Sequence, residues 1–154
     1  MERTLNSGPI HIPTLNQAGA TNNRLVITIK NNSNRTLQAN VIVEACFPRN
    51  TVINLPSVRN LAENVLEEFR RRNIPAHTCR VFEVAITANS RPFIKVISTG
   101  DYEVIKGRPA AGELEISVVA GNGATNNGDR VTGLSTSDAS TFVPFGSWVV
   151  EERC

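Results

Sequence analysis

Aromatic residues, histidine and methionine are scarce: the 154 residues include one Trp, one Tyr, six Phe, two His and one Met. Two histidines leave little material for a nucleophile–base–orienter triad or a histidine-rich metal site. His11 lies in a polar leading stretch. His77 precedes Cys79 by two residues, so a strand that already includes His77 would put both on one face. No family-type signature surrounds this pair. A phosphate-cradling GxxxxGK(S/T) or GxGxxG loop is also missing; Gly121-Asn122-Gly123 has no helical pattern after it and reads as a turn. Asp129 and Asp138 sit in a Gly/Ser/Thr/Asn loop without the DxDxDG spacing of a calcium loop. Glu113 and Glu115 alternate with Leu114 and Ile116, so they face away from the core rather than toward an acid–base partner. The reading is of a non-enzymatic chain with no catalytic residue, no metal and no cofactor.

Long apolar runs are absent as well. Nothing approaches the roughly 20 residues that span a bilayer, so no membrane partner is expected. The leading residues MERTLNSGPIHIP lack the apolar core of a Sec signal, which predicts synthesis in the cytoplasm and, for an extracellular destination, release by lysis or an unusual route. A formal net charge of +2 is too small for a phosphate-driven nucleic-acid binder. The cysteines are three: Cys46, Cys79 and Cys154. An odd count leaves one without an internal partner, and no CxxC spacing occurs. Two readings stand: three reduced thiols, or intermolecular cross-linking through Cys154 and one internal partner.

What the chain does contain is β-branched residues and polar turn formers. A length of 154 residues predicts one domain able to bury roughly 70% of its unfolded surface. RLVITIK (24–30) places Leu25, Ile27 and Ile29 on one face, and LQANVIVEA (37–45) does the same with Leu37, Ala39, Val41 and Val43. The Asn-rich turn between them predicts a hairpin. Further strand signals are TCRVFEVAIT (78–87), FIKVIS (93–98), YEVIK (102–106), ELEISVV (113–119) and SWVVEE (147–152). Thr99-Gly100-Asp101 reads as the turn of a second hairpin.

One segment carries a different period. In SVRNLAENVLEEFRRRN (57–73), Val58, Leu61, Val65, Leu66 and Phe69 recur at spacings of three to four, which predicts a helix. Ser57 would be its N-cap, Pro75 its stop, and Glu67 and Glu68 would pair with Arg71 and Arg72 four residues on. The expected fold class is an all-β antiparallel sandwich with one inserted α-helix, about 57–73, and an extended N-terminal arm. Residues 1–20 form the arm and 21–154 the sandwich domain.

The arm suggests assembly. Within it, Pro9-Ile10-His11-Ile12-Pro13 is a short β-capable segment bracketed by prolines, with Ile10 and Ile12 on one face. Such a segment can complete a neighbour's sheet edge by β-augmentation, and head-to-tail pairing that does not close gives a filament. These five residues are the candidate subunit interface. A binding alternative rests on Trp148, Phe142 and Phe145, close enough in sequence to form a glycan-binding patch.

Residues 24–45, RLVITIKNNSNRTLQANVIVEA, resemble a class of small β-sandwich proteins of spore-forming Bacillota, the endospore-appendage and spore-surface subunits. The resemblance implies a jelly-roll-like sandwich, N-terminal extensions that bridge subunits, and disulfide links between them. It implies a structural self-assembling subunit of a surface fibre, appendage or coat on the spore surface. Its partners would be copies of itself, with a glycan or another spore-surface protein as a further partner. A viral or phage capsid or tail subunit would share fold and assembly. The arm here carries no cysteine, unlike many appendage arms.

Overall fold

The computed structural model describes residues 2–13, 15, 22–46, 63–86, 93–122 and 141–151. It contains two antiparallel sheets that enclose one core, plus a small hairpin. The first sheet runs β12 (Val149–Glu151), β1 (Arg3–Asn6), β7 (Phe93–Gly100), β4 (Leu37–Cys46), β5 (Glu63–Ile74), with β2 (Ile10–His11) also on β7. The second runs β11 (Thr141–Val143), β10 (Leu114–Gly121), β3 (Arg24–Asn31), β6 (Cys79–Ala85). β8 (Glu103–Ile105) and β9 (Arg108–Ala110) form the hairpin.

The core follows from period-two patterning. Leu25, Ile27 and Ile29 on β3, Val41 and Val43 on β4, Ile94 and Val96 on β7, and Leu114, Ile116 and Val118 on β10 are all buried. Each such side chain contributes roughly 1.5–3 kcal/mol on leaving water. Gly100 lets β7 lie close against β4, since a Cβ there would stand 2.5 Å from the Gln38 carbonyl oxygen.

Three local expectations are overturned. The predicted helix over 57–73 is a strand wherever it lies among the described residues, and among these β5 pairs with β4 alone. Two register shifts explain the helical spacing. Between Val43 and Glu44 the strand inserts an extra residue, Leu66, and between Ala39 and Val41 both Arg70 and Arg71 oppose Asn40. Each bulge adds one residue to the period, so the side chains that reach the core are Leu66, Phe69 and Ile74, at spacings of three and five. The first of these mimics a helical step. Ser57, Val58 and Leu61 lie outside the described residues.

β3 and β4 do not pair; they belong to different sheets. The turn between them is an arch closed by Asn31. This buried side chain donates from Nδ2 to the carbonyl oxygens of Arg35 (2.7 Å) and Ile74 (2.8 Å) and accepts from the Ser33 N–H (2.8 Å) and hydroxyl (2.7 Å). Alternation specifies which face of a strand is buried, and two strands facing each other across a core carry the same alternation as two neighbours in one sheet.

Thr99-Gly100-Asp101 likewise does not join a hairpin, since β8 pairs with β9 and not with β7. The tight turn is Lys106-Gly107, with φ of 52° and 75°. Positive φ at both central residues is the signature of a type I′ turn, whose twist suits two antiparallel strands. Next to it in sequence, Tyr102 is buried with its hydroxyl 2.7 Å from Ser98 Oγ, which itself donates to the Asn40 carbonyl at 2.8 Å. Burial pushes the Tyr102 hydroxyl above its ordinary range, and the Ser98 contact offsets this only in part.

Candidate functional site

The N-terminal segment is built into the first sheet. β1 has neighbours on both sides: Thr4, Leu5 and Asn6 face Glu151, Val150 and Val149 of β12, while Arg3–Asn6 run along Gly100–Ile97 of β7. Beyond Asn6 the segment continues beside β7. Ser7 donates its N–H to the Val96 carbonyl (3.0 Å) and accepts from the Val96 N–H on its hydroxyl (3.0 Å). Gly8, at φ 69°, takes the chain through a kink that returns Ile10 and His11 to register with Ile94 and Phe93. A non-glycine residue would be strained at this kink.

Leu5, Ile10 and Ile12 are the anchors, at 0, 5 and 2% exposure. Ile10 and Ile12 do share a face, and that face enters the core of their own chain. Pro9, His11 and Pro13 are exposed. His11 lies against Phe93, ring centroids 5.1 Å apart, and its carbonyl accepts from the Thr141 hydroxyl at 3.3 Å. The segment is pinned polar-side by Asn6, which donates to Glu151 Oε1 at 2.9 Å, and by Asn22, which donates to the Pro13 carbonyl at 2.8 Å. Lys95 Nζ approaches the same Glu151 oxygen at 3.8 Å. Leu5 was not among the sequence candidates, because one apolar residue between Thr4 and Asn6 is too short a pattern to register as a strand.

The thiols are arranged differently. Ala45 points into the core, so Cys46 at the end of β4 points outward from the first sheet. Phe82 and Val84 point inward, so Cys79 at the start of β6 points outward from the second. The two free thiols therefore project from opposite outer faces. Cys154 lies outside the described residues. His77, at φ 56°, sits in the turn before β6 rather than on the strand, so strand alternation does not align it with Cys79.

The three aromatic residues of the glycan reading are dispersed. Trp148 is buried, Phe145 is half-buried against the core, and Phe142 on β11 is 58% exposed. Asp129 and Asp138 lie outside the described residues.

On the outer face of the first sheet, the Glu44 carboxyl of β4 lies within reach of the Glu63 carboxyl of β5, so that a hydrogen bond joins them when one is protonated. That bond raises the Glu44 pKa above the usual carboxylate range, helped by desolvation and by the charge of Glu63, while Lys95 opposes the shift.

Neither a protein-family model nor a curated protein matches the sequence. Among solved structures, the crystal structure of Thermotoga maritima 1070 is similar at a TM-score of 0.37 and 8% identity, over 82% of this chain and 84% of that one.

Proposed function

We propose that the chain is a structural subunit that assembles by exchanging its N-terminal strand. The observation that carries this reading is the position of β1, a strand near the start of the chain that fills an interior slot between β7 and β12. Removing residues 3–12 would expose the pairing edges of both neighbours and empty the space now held by Leu5, Ile10 and Ile12. A second copy's segment can make the same contacts in the same register. The two placements then differ only in the connection through residues 13–23 and in concentration. Each copy donates one strand and accepts one, so head-to-tail exchange propagates into a filament unless the rotation closes a ring.

The path of the chain supports a jelly-roll-like reading. β3 to β4, β5 to β6 and β6 to β7 each cross from one sheet to the other. Together with the resemblance of residues 24–45 to spore-surface subunits, this makes a surface fibre, appendage or coat the favoured setting, extracellular on the spore. Outward-facing Cys46 and Cys79 would be available to cross-link adjacent copies.

The test uses two variants. A protein lacking residues 1–12 should remain monomeric at concentrations where the full chain assembles, and should bind a synthetic peptide of residues 2–13. Leu5→Glu keeps the accepting slot but spoils the donor, so adding it to wild type at low ratio should shorten assemblies, read by electron microscopy. A full-length protein that stays monomeric at all concentrations sinks the proposal, as does growth indifferent to Leu5→Glu.

A further inference from the structure

The outer face of the first sheet carries a cleft of about 1030 Å³. Its floor combines a polar row of register partners, Thr4 on β1, Thr99 on β7 and Asn40 on β4, with the apolar pair Ile42 and Ile97. The Thr4 and Thr99 hydroxyls bond at 2.9 Å, and Thr4 is buried although it points away from the core. One wall is the β5 bulge with Arg70 and Arg71, and another is the β8–β9 turn with Lys106 and Gly107. Arg3 lines it from β1.

Two observations mark this cleft. The first is charge. Among the described residues the ion pairs are Arg35–Glu113, Arg70–Glu68 and Lys95–Glu151. The cleft's Glu68 and Glu151 are thus engaged, and so is Arg70. Arg3, Arg71 and Lys106 take part in none of these pairs, and the cleft's four cations outnumber its three carboxylates, Glu2, Glu68 and Glu151.

The second is backbone conformation. Among the described residues three non-glycine residues have positive φ: Arg71 at 45°, His77 at 56° and Lys106 at 52°. Two of the three line this cleft, and both are cations. Left-handed backbone favours Gly or Asn, and a long side chain there is unfavourable. Each strained position is also fixed by its surroundings. The Arg71 N–H donates to Asn40 Oδ1 at 2.5 Å, and Lys106 is held in the type I′ turn. Left-handed backbone retained at two positions lining one cleft, each bearing a cation outside the ion pairs of the described residues, points to a use for the side chains.

We infer that the cleft binds a compact anion bearing phosphate groups. Guanidinium forks pair with phosphate or carboxylate oxygens in two-point contacts, and an ammonium adds a point charge. A lone carboxylate is satisfied by one fork. A phosphate group carries nearly two charges and several acceptor oxygens, which suits cations converging from β1, β5 and the hairpin. The site stands apart from strand exchange, since a neighbour's β1 in the same slot would bring the same Arg3 and Thr4.

Tripolyphosphate serves as the probe, titrated calorimetrically into the full-length protein at low ionic strength. One site per chain is expected, with affinity falling as salt rises. Arg71→Gly and Lys106→Gly should each weaken binding about tenfold, the loss typical of one charged contact, while leaving the melting temperature unchanged or higher because strain is relieved. Lys30→Ala, on the outer face of the second sheet, should bind as wild type. Absence of binding overturns the inference, as does full affinity in both glycine variants or an equal loss in Lys30→Ala. Citrate binding as tightly as tripolyphosphate overturns the phosphate assignment.

Discussion

β3 and β5 are two strands of contrasting composition and opposite behaviour. β3 lies between β10 and β6, pairs without interruption on both flanks, and buries Leu25, Ile27 and Ile29 completely. Among the described residues β5 is paired on one flank only, carries two bulges, and leaves Val65 60% exposed. A strand held on both sides cannot absorb an extra residue without breaking a neighbour's ladder, so its period survives in the sequence. A strand held on one side can. The charged run Glu67-Glu68 and Arg70-Arg71-Arg72 along β5 also discourages pairing with a stray strand.

The largest test of this contrast is a pair of truncations. Ile27→Ala on β3 should cost about 3 kcal/mol, as deletion of buried methyl groups does in a tight core. Val65→Ala on β5 should stay within about 0.5 kcal/mol. Urea unfolding of both variants checks the difference, and equal costs would mean that β5 is packed as a central strand.

Asn31 connects the two strands, ending β3 and bonding the Ile74 carbonyl at the end of β5. Asn31→Ala should cost about 2 kcal/mol, since two carbonyls lose a buried donor. Hydrogen exchange should place the first loss of protection at the Ile74 end of β5, with the middle of β3 little changed.

A smaller effect is expected at high pH. The Tyr102 hydroxyl has a raised pKa in the folded chain, so its contribution is complete below the unfolded value near 10 and is lost as pH climbs through the folded value. Tyr102→Phe should flatten the alkaline arm of a stability–pH curve while lowering stability at neutral pH by about 1 kcal/mol.

The smallest effect concerns how β5 is attached to β4. Glu44 has a raised pKa through its bond to Glu63. The contact therefore helps most below the ordinary carboxylate value near 4.3 and fades as pH rises through the raised one. Glu44→Gln should remove that slight acid-side gain, detected as a change in the slope of melting temperature against pH just above the ordinary carboxylate range.

Strands with intact periodicity were readable from residues alone. β3, β4 and β10 fall where Leu25–Ile29, Leu37–Val43 and Leu114–Val118 alternate, because burial of one face is a local property. Partners were not readable: NNSNRT looks like a hairpin turn, but Asn31 uses it to send the chain across the core. Lys106-Gly107 was missed because Lys is an unusual occupant of a left-handed turn position. The phosphate cleft gives no linear signal, since Arg3, Arg71 and Lys106 meet only through the register of β1, β7, β4 and β5. In the N-terminal segment the face shared by Ile10 and Ile12 was evident, but the matching role of Leu5 depends on β7 and β12 lying either side.

The pairing of Thr4 with Glu151 has a consequence for biogenesis. Strands far apart in sequence are neighbours in space, so the first sheet cannot close until β12 has left the ribosome. Contacts this distant slow folding. Until β12 arrives, one flank of β1 has no partner of its own, and crowded synthesis of many copies would let that flank meet a foreign strand first.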